Sequence, residues 1–354
     1  MGMNRIAIYS DIHVHPHKAG SRQLDSGISS RLQDCVDVLD QVYSYAHENE
    51  ISKVLFAGDL FHTRRAVDTA AFNAVYDRLR HWSDQGILTI AIPGNHDCYD
   101  RRGGGIHSLE PLKDIIQVVD SPTWVRLSRD AYALCMPYVH ERDSFVCQLN
   151  DALDARPKRA AKTIGMFHQA VHGGVLNPGR VAHHYDGPIQ VADLRPDVLD
   201  RVFLGDFHVP QCLLEDQVYY VGATLQHGWR DIDNVCGFVV LDLDTLNMER
   251  VSTTYPKFVR VDMDDLDSVP DDSFVRVSCP TSQEDQVRER LEDRVRSIEC
   301  IPTESERAPP RRNIVTLSMR REEVLRRYID QVGGKWSGDF GLLLGRATKL
   351  LSDT

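Results

Sequence analysis

Residues 53–62 read KVLFAGDLFH: an apolar run rich in branched and aromatic side chains, then Gly58-Asp59, then His62. A short run of this kind, closed by a turn, is a buried strand, and the acid and the imidazole stand where it ends. The pattern recurs along the chain. RIAIYSDIH (5–13) ends in Asp11 and His13, and LTIAIPGNHD (88–97) in Asn95, His96 and Asp97. TIGMFH (163–168) ends in His168, and RVFLGDFH (201–208) in Asp206 and His208. Ligands of open α/β sheets bind beyond the carboxyl ends of the strands, so these ends can converge although they lie far apart in sequence.

Helical segments separate the runs. After Ser30, the residues Leu32, Val36, Leu39, Tyr43 and Ala46 form one apolar stripe, and Phe72, Val75, Leu79 and Trp82 form another. Strands alternating with helices predict an α/β domain. Because strands outnumber helices, a two-sheet β-sandwich flanked by helices is expected over residues 1–255. The character changes near Tyr255-Pro256, where KFVRVDM and SFVRVSC read as strands, followed by a helix bearing Val287, Leu291, Val295 and Ile298 and the strand-like NIVTLSM. This predicts a small α+β capping or DNA-binding domain over 256–319. Two further stripes, Leu325, Tyr328 and Val332, then Phe340, Leu343, Ala347 and Leu350, predict a helix-loop-helix over 320–354.

At 354 residues and 42% hydrophobic content the chain can bury a sizeable core. The apolar run from Ile6 to Tyr9 is too short for a signal peptide or a membrane span, so a cytoplasmic protein with no membrane partner is expected. The eight cysteines lack any Cys-x-x-Cys spacing and lie mostly in apolar runs, as buried thiols do. A net charge of −11 argues against a broad basic grip on nucleic acid. It leaves a nuclease open, since bound divalent cations would neutralise a carboxylate-rich site.

Residues two apart on extended backbone point the same way, which would aim Asp11 with His13, and Asp206 with His208, at one site. Gly58, Gly94 and Gly205 would let the chain turn sharply where these residues begin. Carboxylates, imidazoles and one amide in this number suit two divalent cations such as manganese better than a thiolate zinc site. Taken singly, each residue has a plainer reading. Asp11 or Asp59 would serve as an N-cap, Asn95 and Asp97 as turn residues, and His168 as a core or surface histidine.

The order Asp-x-His, Gly-Asp-x-x-His, Gly-Asn-His-Asp, a lone His and Gly-x-x-His resembles the calcineurin-like metallophosphoesterase family over residues 5–231. AGDLFHTRR and FHQAVHGG, with the added small domain and helical tail, are similar to the SbcD-like nuclease subunits of SbcCD-type double-strand-break repair complexes. The resemblance implies that Asp59 bridges two metals, with Asp11, His13 and His208 completing one site and Asn95, His168 and residue 206 the other. It places His96 at the phosphate as electrophile or acid for the leaving alkoxide, Asp97 as the group orienting it, and His62 beside the scissile phosphate. The family normally has His where Asp206 stands. Asp206 is then either a harder ligand, favouring manganese or magnesium over zinc, or the mark of a decayed second site.

Arg101 and Arg102, on the loop after GNHD, would contact phosphate or simply be solvated, and Thr224 and His227, beyond the next strand end, would reach substrate or form a plain loop. His15, His17, His183 and His184 read as surface or DNA-facing residues. What the resemblance implies is a manganese-dependent DNA exonuclease and endonuclease. It would work as a homodimer within a heterotetramer whose other subunit is an SbcC-like coiled-coil ATPase docked on the tail. Two alternatives stand beside it: an independent phosphoesterase acting on nucleotides or phosphoproteins, and a non-catalytic scaffold of an ATPase.

Overall fold

The structure, a computed structural model, describes residues 4–100, 102, 105–177, 183–215 and 217–303. Chain order runs β1 (Arg5–Tyr9), α1 (Ser30–Glu48), β2 (Lys53–Phe56), α2 (Thr69–Asp84), β3 (Leu88–Ala91), β4 (Gln117–Val118), β5 (Thr123–Arg126) and β6 (Ala131–Met136). It continues with α3 (Arg142–Asp154), β7 (Lys162–His168), β8 (Val175–Asn177), β9 (His183–His184), β10 (Arg201–Gly205), β11 (Gln211–Leu214), β12 (Val218–Tyr220), β13 (Gly237–Asp242) and β14 (Met248–Ser252). One six-stranded sheet has the order β14-β13-β1-β2-β3-β4 and a second β11-β12-β10-β7-β6-β5. Within the first, β1, β2, β3 and β4 are mutually parallel, and within the second β12, β10, β7 and β6 are. Parallel neighbours end at the same edge of their sheet, which gathers the carboxyl ends of β1, β2 and β3, and separately those of β7 and β10.

The strands are continuously apolar because both faces are buried, each in a different core. Ile6 and Ile8 of β1, Leu55 of β2 and Ile90 of β3 meet Ile164 and Met166 of β7 and Phe203 of β10 between the sheets. Their alternate neighbours Ala7, Tyr9, Val54, Phe56 and Ala91 face outward onto Leu32, Leu39, Val42 and Tyr43 of α1 and Val75 and Leu79 of α2. On the far side Phe167, Val202 and Leu204 pack against Phe145 and Leu149 of α3. The result is the expected sandwich of two sheets between helices. The Ser29 side chain caps α1 by accepting from Leu32 N at 3.1 Å.

Beyond Tyr255 a three-stranded sheet, β15 (Phe258–Asp262), β16 (Phe274–Cys279) and β17 (Ser297–Pro302), packs with α4 (Glu284–Leu291) around Val275, Val277, Cys279, Val287 and Leu291. The helix expected to continue through Ile298 stops at Leu291, and Ile298 lies in β17. Arg296 ties this layer to α1 through a nearly buried pair with Asp34 at 2.7 Å. Arg31 of α1 lays its guanidinium over Phe258 and Phe274, 5.2 and 4.8 Å from the ring centroids. The chain divides at Ile301–Pro302. The helix-loop-helix expected over 320–354, and the last strand of the small domain, lie outside the described residues. Among these, no helix is long and apolar enough to cross a membrane.

Candidate metal centre

The loops leaving β1 and β2 run side by side. Asp11 N donates to Gly58 O (3.0 Å), His13 N to Asp59 O (3.0 Å) and Val14 N to Leu60 O (2.8 Å). Along this track the backbone is left-handed at Asp11 (φ 52°), His13 (φ 44°) and Asp59 (φ 64°), and again at Asp206 (φ 99°) across the site. The expected extended spacing is therefore corrected, since these pairs converge because their backbones turn. Non-glycine residues held at positive φ are costly and gather at functional sites. The glycines also divide in role. Gly58 takes φ 96°, whereas a Cβ at Gly94 would strike Asp59 Oδ1 and backbone.

Five strand ends aim their side chains at one spot. Asp59, 2% exposed, turns Oδ2 toward His13 Nε2 (3.5 Å) and Oδ1 toward His168 Nε2 (3.5 Å). Its two oxygens therefore face two lobes. On the first, Asp11, His13 and His208 bring ligand atoms within 4.8 Å of one another, and His13 Nε2 stands 3.2 Å from His208 Nε2. On the second, Asp206 Oδ1 lies 3.7 Å from His168 Nε2 and accepts from Asn95 Nδ2 at 2.8 Å. Asp206 N donates to Asp11 Oδ1 at 3.2 Å, linking the lobes.

These donors fit cations. His168 Nδ1 is engaged by Ala57 O at 2.7 Å, and its buried Nε2 has no hydrogen-bond partner among the described residues. His208 Nδ1 is held by Asp231 Oδ1 at 3.0 Å, which leaves its Nε2 directed at His13. A carboxylate or carbonyl on the far ring nitrogen is how ligating histidines are commonly oriented. Burial pushes the Asp59 carboxyl well above its usual range and raises that of Asp206. Burial also opposes charge on His168 and His208, but the surrounding carboxylates outweigh it and lift each to about 9. Acids and imidazoles crowded in this way are stabilised by positive charge among them.

The neighbouring residues take specific places. His96 N donates to Asp59 Oδ1 at 2.7 Å, and its ring Nδ1 is held by His62 O at 2.7 Å. The expectation that Asp97 orients that ring is corrected. Fully buried Asp97 accepts backbone N–H groups from Asp59 (2.8 Å), Leu60 (3.0 Å), Phe61 (3.2 Å) and Gly94 (2.9 Å). It clamps the Asp59 turn. His62 packs its ring against His13 and His96, at centroid distances of 5.6 and 5.7 Å. His227 Nε2 bonds Asp11 O at 2.9 Å, so it forms the wall of the first lobe. Thr224 is fully buried. Arg102 is exposed on its loop, its backbone N bonded to Asp100 Oδ1 at 2.8 Å, and Arg101 lies outside the described residues.

Sequence reasoning missed three participants: Asp231 behind His208, the Ala57 carbonyl behind His168, and Arg64, whose Nη2 donates to Asn95 Oδ1 at 3.4 Å. Arg64 stands within the quoted AGDLFHTRR. Its cationic neighbour to the site was visible there, but its target was not.

Two sheets whose strand ends deliver paired carboxylate and imidazole lobes define a metal-dependent phosphoesterase. The model of that class, the calcineurin-like phosphoesterases, matches residues 4–210, and this chain belongs to the family. A Haloferax volcanii protein, DNA double-strand break repair protein Mre11, is 29% identical over 227 residues, covering 63% of this chain and 46% of the relative. Its namesake from Halobacterium salinarum is 26% identical over 270 residues, covering 72% and 62%. The match thus spans somewhat under half of the first of these curated relatives and somewhat under two thirds of the second. A dimetal phosphatase structure from Danio rerio superposes with a TM-score of 0.44 at 10% identity, covering 71% of this chain and 96% of that one.

Proposed function

We propose that this phosphoesterase is a DNA nuclease that hydrolyses phosphodiester bonds with two divalent cations, manganese above magnesium. The observation that carries it is the Asp59 carboxylate with one oxygen in each lobe, and the similarity to proteins named for double-strand break repair supports DNA as substrate. Asp11, His13, Asp59 and His208 would hold one cation, and Asp59, Asn95, His168 and Asp206 the other. When bound, such a pair supplies Lewis acidity at the phosphoryl oxygens and an acidified water. The chain's own residues supply the rest. His96, fixed by the His62 carbonyl, passes a proton to the leaving alkoxide, and the His62 ring positions the scissile phosphate.

The reading extends to an SbcC-like coiled-coil ATPase docked on residues 320–354, with two copies of this chain in the assembly. Incubating the full chain with end-labelled single-stranded and duplex DNA, with and without manganese, tests the activity. Manganese-dependent digestion is expected, and intact DNA under every cation condition overturns the proposal.

Asp206 carries a separate expectation. Asp206→Ala lowers bound manganese from about two ions per chain to about one, and Asp206→His restores it while shifting preference toward softer ions. Elemental analysis reads this directly. Unchanged metal content and activity in the alanine variant would remove Asp206 from the ligand set.

A further inference from the structure

Beside the His168 lobe lies a cavity of about 460 Å³ that the hydrolytic chemistry leaves unused, lined by Tyr138, Gln169, Tyr185 and Ile189. That volume lies in the range of small-molecule sites. Its position is set by the chain. Gln169 directly follows His168, and the Tyr138 ring stands 6.3 Å from the His168 ring. Tyr138 N bonds Pro93 O at 3.0 Å, next to the Gly94–Asn95 turn.

Gln169 is 1% exposed, yet its Nε2 has no hydrogen-bond partner among the described residues. A buried amide left unmatched is expensive and points to a ligand. The lining does not suit an anion. Arg142 is committed to Asp193 by bonds of 2.6 and 2.8 Å, and the carboxylates of Glu141 and Asp143 are part of the lining. Two phenol rings, one apolar wall and one amide with an unmatched Nε2 match a flat, neutral, hydrogen-bonding ring.

We infer that this cavity receives the nucleobase adjoining the scissile phosphate, stacked on Tyr138 or Tyr185 with its edge against the Gln169 amide. The inference rests on the nuclease reading and deepens it. A base can enter only when it is out of the helical stack, so single strands and frayed ends are the favoured substrates.

The test places 2-aminopurine at successive positions of a short single-stranded oligonucleotide and follows its fluorescence on binding to the full chain with calcium. Quenching is expected at one position, with affinity weakened about tenfold by Gln169→Leu and by Tyr185→Leu. Steady-state hydrolysis adds a second readout. Both variants should raise KM for thymidine 3′- or 5′-(p-nitrophenyl) phosphate about tenfold and leave kcat/KM for methyl p-nitrophenyl phosphate, which has the same leaving group and no base, unchanged. Equal losses on both esters, or quenching that survives both substitutions, overturn the base pocket. An oligonucleotide digested with manganese but quenched at no position overturns the pocket alone. One that is neither bound nor digested overturns the nuclease reading together with it.

Discussion

Asp59→Ala is expected to abolish phosphodiester hydrolysis and to empty both cation lobes. The carboxylate is almost fully buried and sends one oxygen toward His13 and the other toward His168. It also accepts the His96 amide at 2.7 Å. Removing one positioned electrostatic group costs an enzyme roughly 10²–10³-fold, and a group serving two cations should cost more. Because alanine also frees the His96 turn, Asp59→Asn is the companion variant: it keeps the shape and an acceptor for His96 N while removing the charge. Both should lose manganese by elemental analysis and retain the thermal unfolding of the sandwich, whose cores lie behind the site. Near wild-type digestion of DNA by either variant would show that the two-cation arrangement is wrong.

His96→Ala should lower hydrolysis by roughly 10²–10⁴-fold, the contribution of a well-placed proton donor, while both cations stay bound. The separation follows from geometry. The His96 ring Nδ1 is occupied by His62 O at 2.7 Å, and its backbone, not its ring, bonds Asp59. Burial pushes the imidazole below its ordinary value, so the ring is neutral in the free enzyme. A bound phosphate's negative charge works against that shift, so the ring takes up from solvent on substrate binding the proton that it passes to the leaving oxygen. Loss of metal from this variant would turn His96 into a ligand and refute its role at the phosphate.

Much of the architecture was legible because the strands speak twice. Runs such as VFLG (202–205) and IGMF (164–167) are apolar at every position, which only a strand buried on both faces requires, and the α1 stripe from Leu32 to Ala46 is buried as its spacing predicts. The small sheet was legible as strands, yet α4 ended about two turns early. Val295 and Ile298 continue the apolar spacing of the helix, but they pack against the same small core from β17 and the residues before it. Periodicity alone could not tell these two routes apart.

The chemistry divides in the same way. By itself the sequence determined which residue types gather at the strand ends, since Asp11, His13, Asp59, Asn95, His168, Asp206 and His208 each follow an apolar run that must stop at the surface of a core. Only the tertiary structure decided how they are held. Asp97 holds the Asp59 turn rather than the His96 ring, Asp231 holds His208, the Ala57 carbonyl holds His168, and Arg64 faces Asn95. These partners are separated by 23 to 111 residues. Local periodicity carries no record of which distant loop a hydrogen bond will reach. The left-handed turns at Asp11, His13, Asp59 and Asp206 were equally hidden, because a non-glycine residue accepts that backbone only where neighbouring strands and buried carboxylates over-determine it.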